Sequence, residues 1–407
     1  TKMTNFCVEC NIDLGEHNPR QYCAKTHCEN KGMKFEYQPD WKGDLDTLGF
    51  AVVENVLDEK ECEDLISGFW NFWNTLSKGD IKRHDKSTWK HIYKWFLNHG
   101  MLGQHFGIGH IPAIWATRGN ERIIDVFETI WGTRDLTCSV DGASTSLQPE
   151  VTGRGWHRKD WLHLDQSPNR SDFECVQGWA TGHAVEKGDG TLTVLEGSHL
   201  LHGEFSKHFG LNDDKKYRKD WFKLEQTHVD WYLAQGCTQR FVTCPKGSLV
   251  LWDSRTVHAG RAPVKGRMNP KNRIVAYISM MPKSMLSEKD AIKKRNAVLQ
   301  GRMTTHWAAS HVKLFNRLPR TYGHAIPEYD PVDPPFIPPR AAILAGWIDP
   351  AKCPFTISDP VARKIAVNAE ITLLMSKLQI KRDANRVKKK RKASDAKDTP
   401  ITIRFKS

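Results

Sequence analysis

Residues 161–167 read WLHLDQS, and residues 247–260 read GSLVLWDSRTVHAG. In the first stretch His163 and Asp165 stand two residues apart. On a β-strand, positions i and i+2 point to one face, so an imidazole and a carboxylate at this spacing can grip one ion together. Ninety-five residues after His163, His258 follows the apolar run GSLVLW. Two histidines and one carboxylate on one face of an octahedral ion make the facial triad of non-haem Fe(II) oxygenases, which leaves three positions open for cosubstrate and oxygen. Fifteen residues beyond His258, Arg273 opens the strand-like run NRIVAYISMM. There a guanidinium can hold a distal carboxylate through two parallel hydrogen bonds, as 2-oxoglutarate would require. The plainer reading makes His163 and His258 satisfied core histidines and Arg273 a surface ion-pair residue.

Outward from these motifs, residues 136–281 break into short strand-like runs separated by glycines: LTCSVDG, CVQGWATGHAV, GTLTVLEGS, GSLVLW and NRIVAYISMM. Helices flank this block. Apolar residues recur at steps of three and four from Cys62 to Leu76, with Asp58 and Glu61 spaced as a capping box. Asn120 is a plausible N-cap for a second helix through Ile130, and helical patterning returns near 284–300. PVDPPFIPPR (331–340) carries five prolines in ten residues and ends it; a last apolar-periodic helix spans 360–379. The expected fold is mainly β with flanking helices.

The ends differ from this body. Cys7, Cys10, Cys23 and Cys28 form C-x2-C-x12-C-x4-C, two chelating pairs spaced to close a structural zinc site, with His17 and His27 as alternative ligands. The polar segment between them buries no core, so metal would supply the folding energy. Four thiolates leave no open position, which excludes catalysis there. The remaining six cysteines are scattered and fit a reducing environment. Of the formal charge of +13 on 407 residues, +8 falls within 381–407, where RVKKKRK (386–392) fits a localisation signal, weak nucleic-acid binding, or a merely solvated tail. With 39% apolar and 26% charged residues, and no apolar run of membrane-spanning length, the composition excludes collagenous, wholly disordered and membrane-spanning classes. An intracellular setting is expected, in cytoplasm or nucleus, with a virus factory or virion as alternatives. The expected divisions are a zinc module over 1–35, an oxygenase domain over 40–325 with its β core at about 136–282, a Pro-rich and helical extension over 326–380, and a disordered basic tail over 381–407, with a linker around 32–44.

The segments WLHLDQSPN, FECVQGWATGHAVEKGDGTLTVLEGSHLLHGEF, GSLVLWDSRTVHAG and NRIVAYISMMP together resemble the phytanoyl-CoA dioxygenase-like branch of the Fe(II)/2-oxoglutarate oxygenases, over roughly 140–282. RMTTHWAASHVKLFNRLPRTYG and the N-terminal cysteine segment are similar to pieces of uncharacterised relatives from large DNA viruses and protists. The resemblance implies a core built on a double-stranded β-helix of the jelly-roll or cupin-like kind, in which His163, Asp165 and His258 hold iron and Arg273 clamps 2-oxoglutarate. It places Trp179 beside the cosubstrate and Gln148, on the strand before the H-x-D, as a donor to it, and it reads His199 of the GSH motif as structural. Glu196 replaces the usual proline before GSH, and the insertion VKGRMNPKN lengthens the interval from His258 to the arginine. Arg261 and Arg267 are therefore rivals for the clamp.

The implied activity is hydroxylation or oxidative demethylation of a small-molecule, lipid or amino-acid-like substrate, with succinate and CO2 as co-products. The alternatives are an oxygenase directed to nucleic acid or protein by the zinc module and tail, and a non-catalytic zinc-binding or virion protein on the same fold. The family's halogenases vacate the carboxylate position, so Asp165 points away from halogenation. Fifteen tryptophans could stack flat substrates, though tryptophan is mostly a packing residue. KSTWKHIYKWFLNHG (86–100) reads either as a basic aromatic lid or as an amphipathic helix packed on the barrel.

Overall fold

A computed structural model of the chain describes residues 40–395 except 154–160, 212–216, 218, 268 and 331. The four N-terminal cysteines expected to bind zinc lie outside the described residues, as do 396–407.

Thirteen strands are present among the described residues: β1 (Phe50–Val53), β2 (Leu102–Gly103), β3 (Leu136–Cys138), β4 (Ala143–Ser146), β5 (His163–Leu164), β6 (Val176–Thr181), β7 (Thr191–Glu196), β8 (Phe222–Lys223), β9 (Thr238–Phe241), β10 (Leu249–Asp253), β11 (His258–Arg261), β12 (Arg273–Ile278) and β13 (Met280–Pro282). One sheet runs β1-β10-β6-β12-β4-β2 and the other β8-β5-β11-β7-β9; β13 pairs with β3 separately. Every pairing is antiparallel. This is the jelly-roll-like arrangement expected. Strands β6, β10 and β12 are buried nearly throughout, so their apolar residues do not alternate strictly with polar ones, and Gln177, Thr181 and Arg273 are buried with them. A core of Trp179, Val194, Val250, Trp252 and Val275 draws on strands of both sheets.

The flanking helices follow their sequence signals. Glu59–Leu76 starts at Asp58, whose carboxylate accepts the Glu61 N–H (2.9 Å) while the Glu61 side chain accepts the Asp58 N–H (2.8 Å). Glu121–Trp131 starts at the Asn120 cap, and Glu288–Leu299 at Ser287. Residues Lys86–Trp95 form a 3-10 helix that buries Trp89, Ile92 and Trp95. Trp89 packs on Trp70 and Trp95 on Trp73, so these aromatics serve packing.

Three expectations change. A helix occupies Trp41–Leu48 and so overlaps the end of the stretch read as a linker. The extension 326–380 is no separate layer: Ile337, Ala341, Phe355 and Val367 share one core with Trp115, Val140 and Val298. The last helix spans Pro360–Asp395 and so enters the basic segment expected to be disordered. Lys, Arg and Ala are good helix formers, and 381–395 holds neither glycine nor proline to stop them.

Gly142 fixes one wall of the barrel. A Cβ there would stand 1.9 Å from the Gly103 carbonyl oxygen, where β2 pairs with β4. Gly142→Ala is expected to cost about 1–3 kcal/mol, the range of core overpacking. Urea unfolding of the two proteins reads it directly; equal midpoints would show that the strands separate freely.

Candidate iron and cosubstrate site

The five-stranded sheet supplies the ligating set. His163 opens β5 and His258 opens β11, and the two are direct cross-strand partners with ring centroids 4.3 Å apart. Strand β5 ends at Leu164, but Asp165 still turns to the same side. Its Oδ1 lies 3.5 Å from His163 Nε2 and its Oδ2 3.3 Å from His258 Nε2. All three ligand atoms fall within 4.8 Å of one another.

Both rings are oriented from behind. His163 Nδ1 donates to the Trp161 carbonyl (3.0 Å) and His258 Nδ1 to the Thr256 carbonyl (2.9 Å). A proton held on Nδ1 leaves the Nε2 lone pair facing the carboxylate, the tautomer a metal needs. Burial, reinforced by His258, pushes His163 down to about 4, so it is neutral and ready to ligate. Burial alone would raise Asp165; His163, His306 and His258 around it outweigh that and hold it well below the usual carboxylate range. Two imidazoles presenting Nε2 and one ionised carboxylate suit Fe(II).

The facing sheet contributes the second half. Arg273 opens β12, is 4% exposed, and lays its guanidinium 4.7 Å from the Trp179 ring centroid. Its Nη1 donates to Ser144 Oγ (3.0 Å), while its Nε has no hydrogen-bond partner. Burial lowers its pKa, opposed by Tyr277 beside it. Among the described residues it forms no ion pair, and a buried guanidinium without a counter-charge is costly. A carboxylate brought by a ligand would meet that need. The rival arginines are engaged elsewhere. Arg267 bridges Glu150 and Asp189, and Arg261 stacks 3.4 Å from the Phe241 centroid.

His163, Asp165, His258, Trp179 and Arg273 all line one cavity of about 350 Å3. Gln148 does not. Strand β4 ends at Ser146, and Pro149 starts the short helix Pro149–Thr152, with Gln148 as its N-terminal flank. Pro149 lacks the N–H that a continuing strand would need. Gln177 approaches the triad instead: its Nε2 donates to Asp165 Oδ2 (2.9 Å). Since Gln177 and Trp179 stand two apart on β6, strand parity alone would have pointed to it. Arg273 and Tyr277, four residues apart on β12, share a face by the same parity. His306 Nδ1 lies 3.9 Å from Asp165 Oδ2; no local pattern marks it. His199 is structural as expected, its Nε2 meeting the Asp46 carbonyl at 3.1 Å. A buried carboxyl, Asp141, also lines the cavity; burial raises it to about 7 against the Gly142 N–H and Arg118, which lower it.

Because Gln177 holds Oδ2 of Asp165, Gln177→Leu is expected to weaken iron binding about 10–100-fold, the usual effect of removing a hydrogen-bond partner of a metal ligand. Competition with a coloured chelator measures this; unchanged affinity would show that the carboxylate orients itself.

A family model described as Phytanoyl-CoA dioxygenase (PhyH) matches residues 45–264. Ava biosynthesis cluster protein O of Aspergillus versicolor is 27% identical over 261 residues, 62% of this chain and 81% of that protein. Among solved structures, EctD from S. alaskensis with 2-oxoglutarate and 5-hydroxyectoine is 12% identical at a TM-score of 0.41, covering 72% of this chain and 89% of EctD. The epimerase SnoN, in complex with Fe3+, alpha ketoglutarate and nogalamycin RO, is 14% identical at a TM-score of 0.37, covering 60% and 82%.

Proposed function

The chain belongs to the phytanoyl-CoA dioxygenase family and is a 2-oxoglutarate-dependent non-haem iron oxygenase, and on that premise we propose that it hydroxylates or oxidatively demethylates a small molecule held in the cavity beside His163, Asp165 and His258. In this reading those three residues ligate iron, Arg273 clamps the distal carboxylate of 2-oxoglutarate, and Trp179 packs beside the cosubstrate. The observation that carries it is the convergence of both Nε2 atoms and the Asp165 carboxylate on one wall of a cavity that Arg273 also lines.

Iron and 2-oxoglutarate supply the oxidising chemistry when bound, with succinate and CO2 as co-products. The chain's own work is positional. The carbonyls of Trp161 and Thr256 keep both imidazoles in the ligating tautomer. Gln177 steadies the carboxylate, and Arg273, buried against Trp179, fixes the direction from which a dicarboxylate enters. Trp161 and Trp252, both nearly buried, keep bulk water from the reacting face. A carboxylate at position 165 fills the place that a halide would need, which favours oxygen transfer over halogenation.

About 350 Å3 lies at the small end of ligand cavities. That volume supports a small molecule over a nucleic-acid strand or a protein segment, and the name of the fungal relative, a biosynthesis cluster protein, agrees. A zinc site at Cys7, Cys10, Cys23 and Cys28 and the basic C-terminal residues would then be accessories to targeting. The test is aerobic incubation with iron and 2-oxoglutarate against small amines, amino acids, lipids, oligonucleotides and peptides, scoring succinate together with a product heavier by one oxygen atom or shortened by a methyl group. Coupled product from a small molecule supports the proposal. Coupled product from oligonucleotides or peptides alone would overturn it.

A further inference from the structure

Three carboxyl groups line the cavity: Asp165, Asp220 and Asp141. Asp165 belongs to the ligating set. Asp220 is neutralised twice, by Arg170 Nη2 at 2.6 Å and Lys313 Nζ at 2.8 Å. Asp141 differs from both. It is 8% exposed, its Oδ1 accepts the Gly142 N–H at 2.6 Å, and no cation among the described residues lies within ion-pair distance. Arg118 is the nearby positive charge, but it spends Nη1 on the Gly109 carbonyl and Nη2 on the backbone carbonyl of Asp141. The carboxyl is thus held by its own backbone at the cavity wall and left without a counter-ion.

The same space is lined by aromatic rings. Two tryptophans already carry cations, Trp179 under Arg273 and Trp307 under Arg170 at 5.1 Å. Trp221 is different: it is 47% exposed, its ring centroid stands 6.0 Å from that of His163, and its backbone is left-handed at φ 72°. A bulky residue in that conformation is uncommon and persists where its surroundings hold it for use. An aromatic face and a desolvated carboxylate are the two groups that recognise organic ammonium ions.

Building on the oxygenase reading above, we propose that the substrate carries a protonated amine, which Asp141 receives while Trp221 covers its organic part. The competing possibility is a substrate anion drawn to Lys313, whose charge Asp220 shares with Arg170.

Isothermal titration of the full chain, saturated with Ni(II) and 2-oxoglutarate so that the triad and Arg273 are filled, with 2-phenylethylammonium, 2-phenylethanol and 2-phenylacetate separates these. The ammonium is expected to bind at least tenfold more tightly than the other two. Asp141→Asn should remove most of that preference. Should that variant not fold, Trp221→Leu, an exposed position, should weaken the ammonium severalfold more than the alcohol. Equal binding of ammonium and alcohol, tighter binding of the acetate, or an unchanged preference in either folded variant would overturn the proposal. Failure of the wild-type chain to take up Ni(II) or 2-oxoglutarate, measured before the amine is added, would instead strike the oxygenase reading.

Discussion

Asp165→Ala abolishes oxygenase turnover and leaves the fold standing. Removing a residue that merely orients a ligand costs about 10–100-fold, and loss of the carboxylate itself should exceed this, because two imidazoles no longer define a face of the ion. The structural cost is small by comparison. The side chain accepts one hydrogen bond, from Gln177, whose amide also lies 3.4 Å from Ser254 Oγ. Leaving a buried donor short of a partner costs about 1–3 kcal/mol. Turnover by succinate release and folding by circular dichroism distinguish the two effects. Undiminished turnover in a folded variant would remove Asp165 from the site.

Arg273→Lys raises the 2-oxoglutarate concentration needed for half-maximal turnover by about 10–100-fold, the equivalent of one lost charge-assisted hydrogen bond. Lysine keeps the charge but not the planar fork, nor the stacked contact with Trp179. Arg267→Ala is the control. It should leave the 2-oxoglutarate requirement alone and lower stability, since it deprives Glu150 and Asp189 of their shared partner. The reverse pattern would place the clamp on Arg267.

The parts of the molecule legible in sequence were those specified locally. The Asp58 capping box, the Asn120 cap and the apolar runs of β6, β10 and β12 each carry their signal within a few residues, and each became the expected element. The triad was legible for a related reason: a two-residue spacing sets His163 beside Asp165, although β5 itself stops at Leu164, and an apolar strand delivers His258. What lay hidden depends on contacts between distant segments. His306 reaches Asp165 from 141 residues away along the chain, through a loop with no periodicity. Asp141 lines the cavity because Gly142 lets β2 approach, which no propensity records. Gln148 falls outside the cavity because β4 ends two residues before it, ahead of Pro149, which a propensity reading of the strand does not register. The C-terminal helix outran its apolar pattern because propensity alone continues it through the basic residues.

The account stands most directly on one anaerobic titration. Fe(II) is added to the full chain with and without 2-oxoglutarate, and bound iron is counted as the visible charge-transfer absorption of a chelated 2-oxo acid is followed. One tightly held iron per chain is predicted, with the absorption appearing only when 2-oxoglutarate is present and lost in Asp165→Ala. Absorption that survives in that variant, or none in the wild-type chain despite bound iron, would contradict the assignment of His163, Asp165 and His258 as the centre of the chemistry.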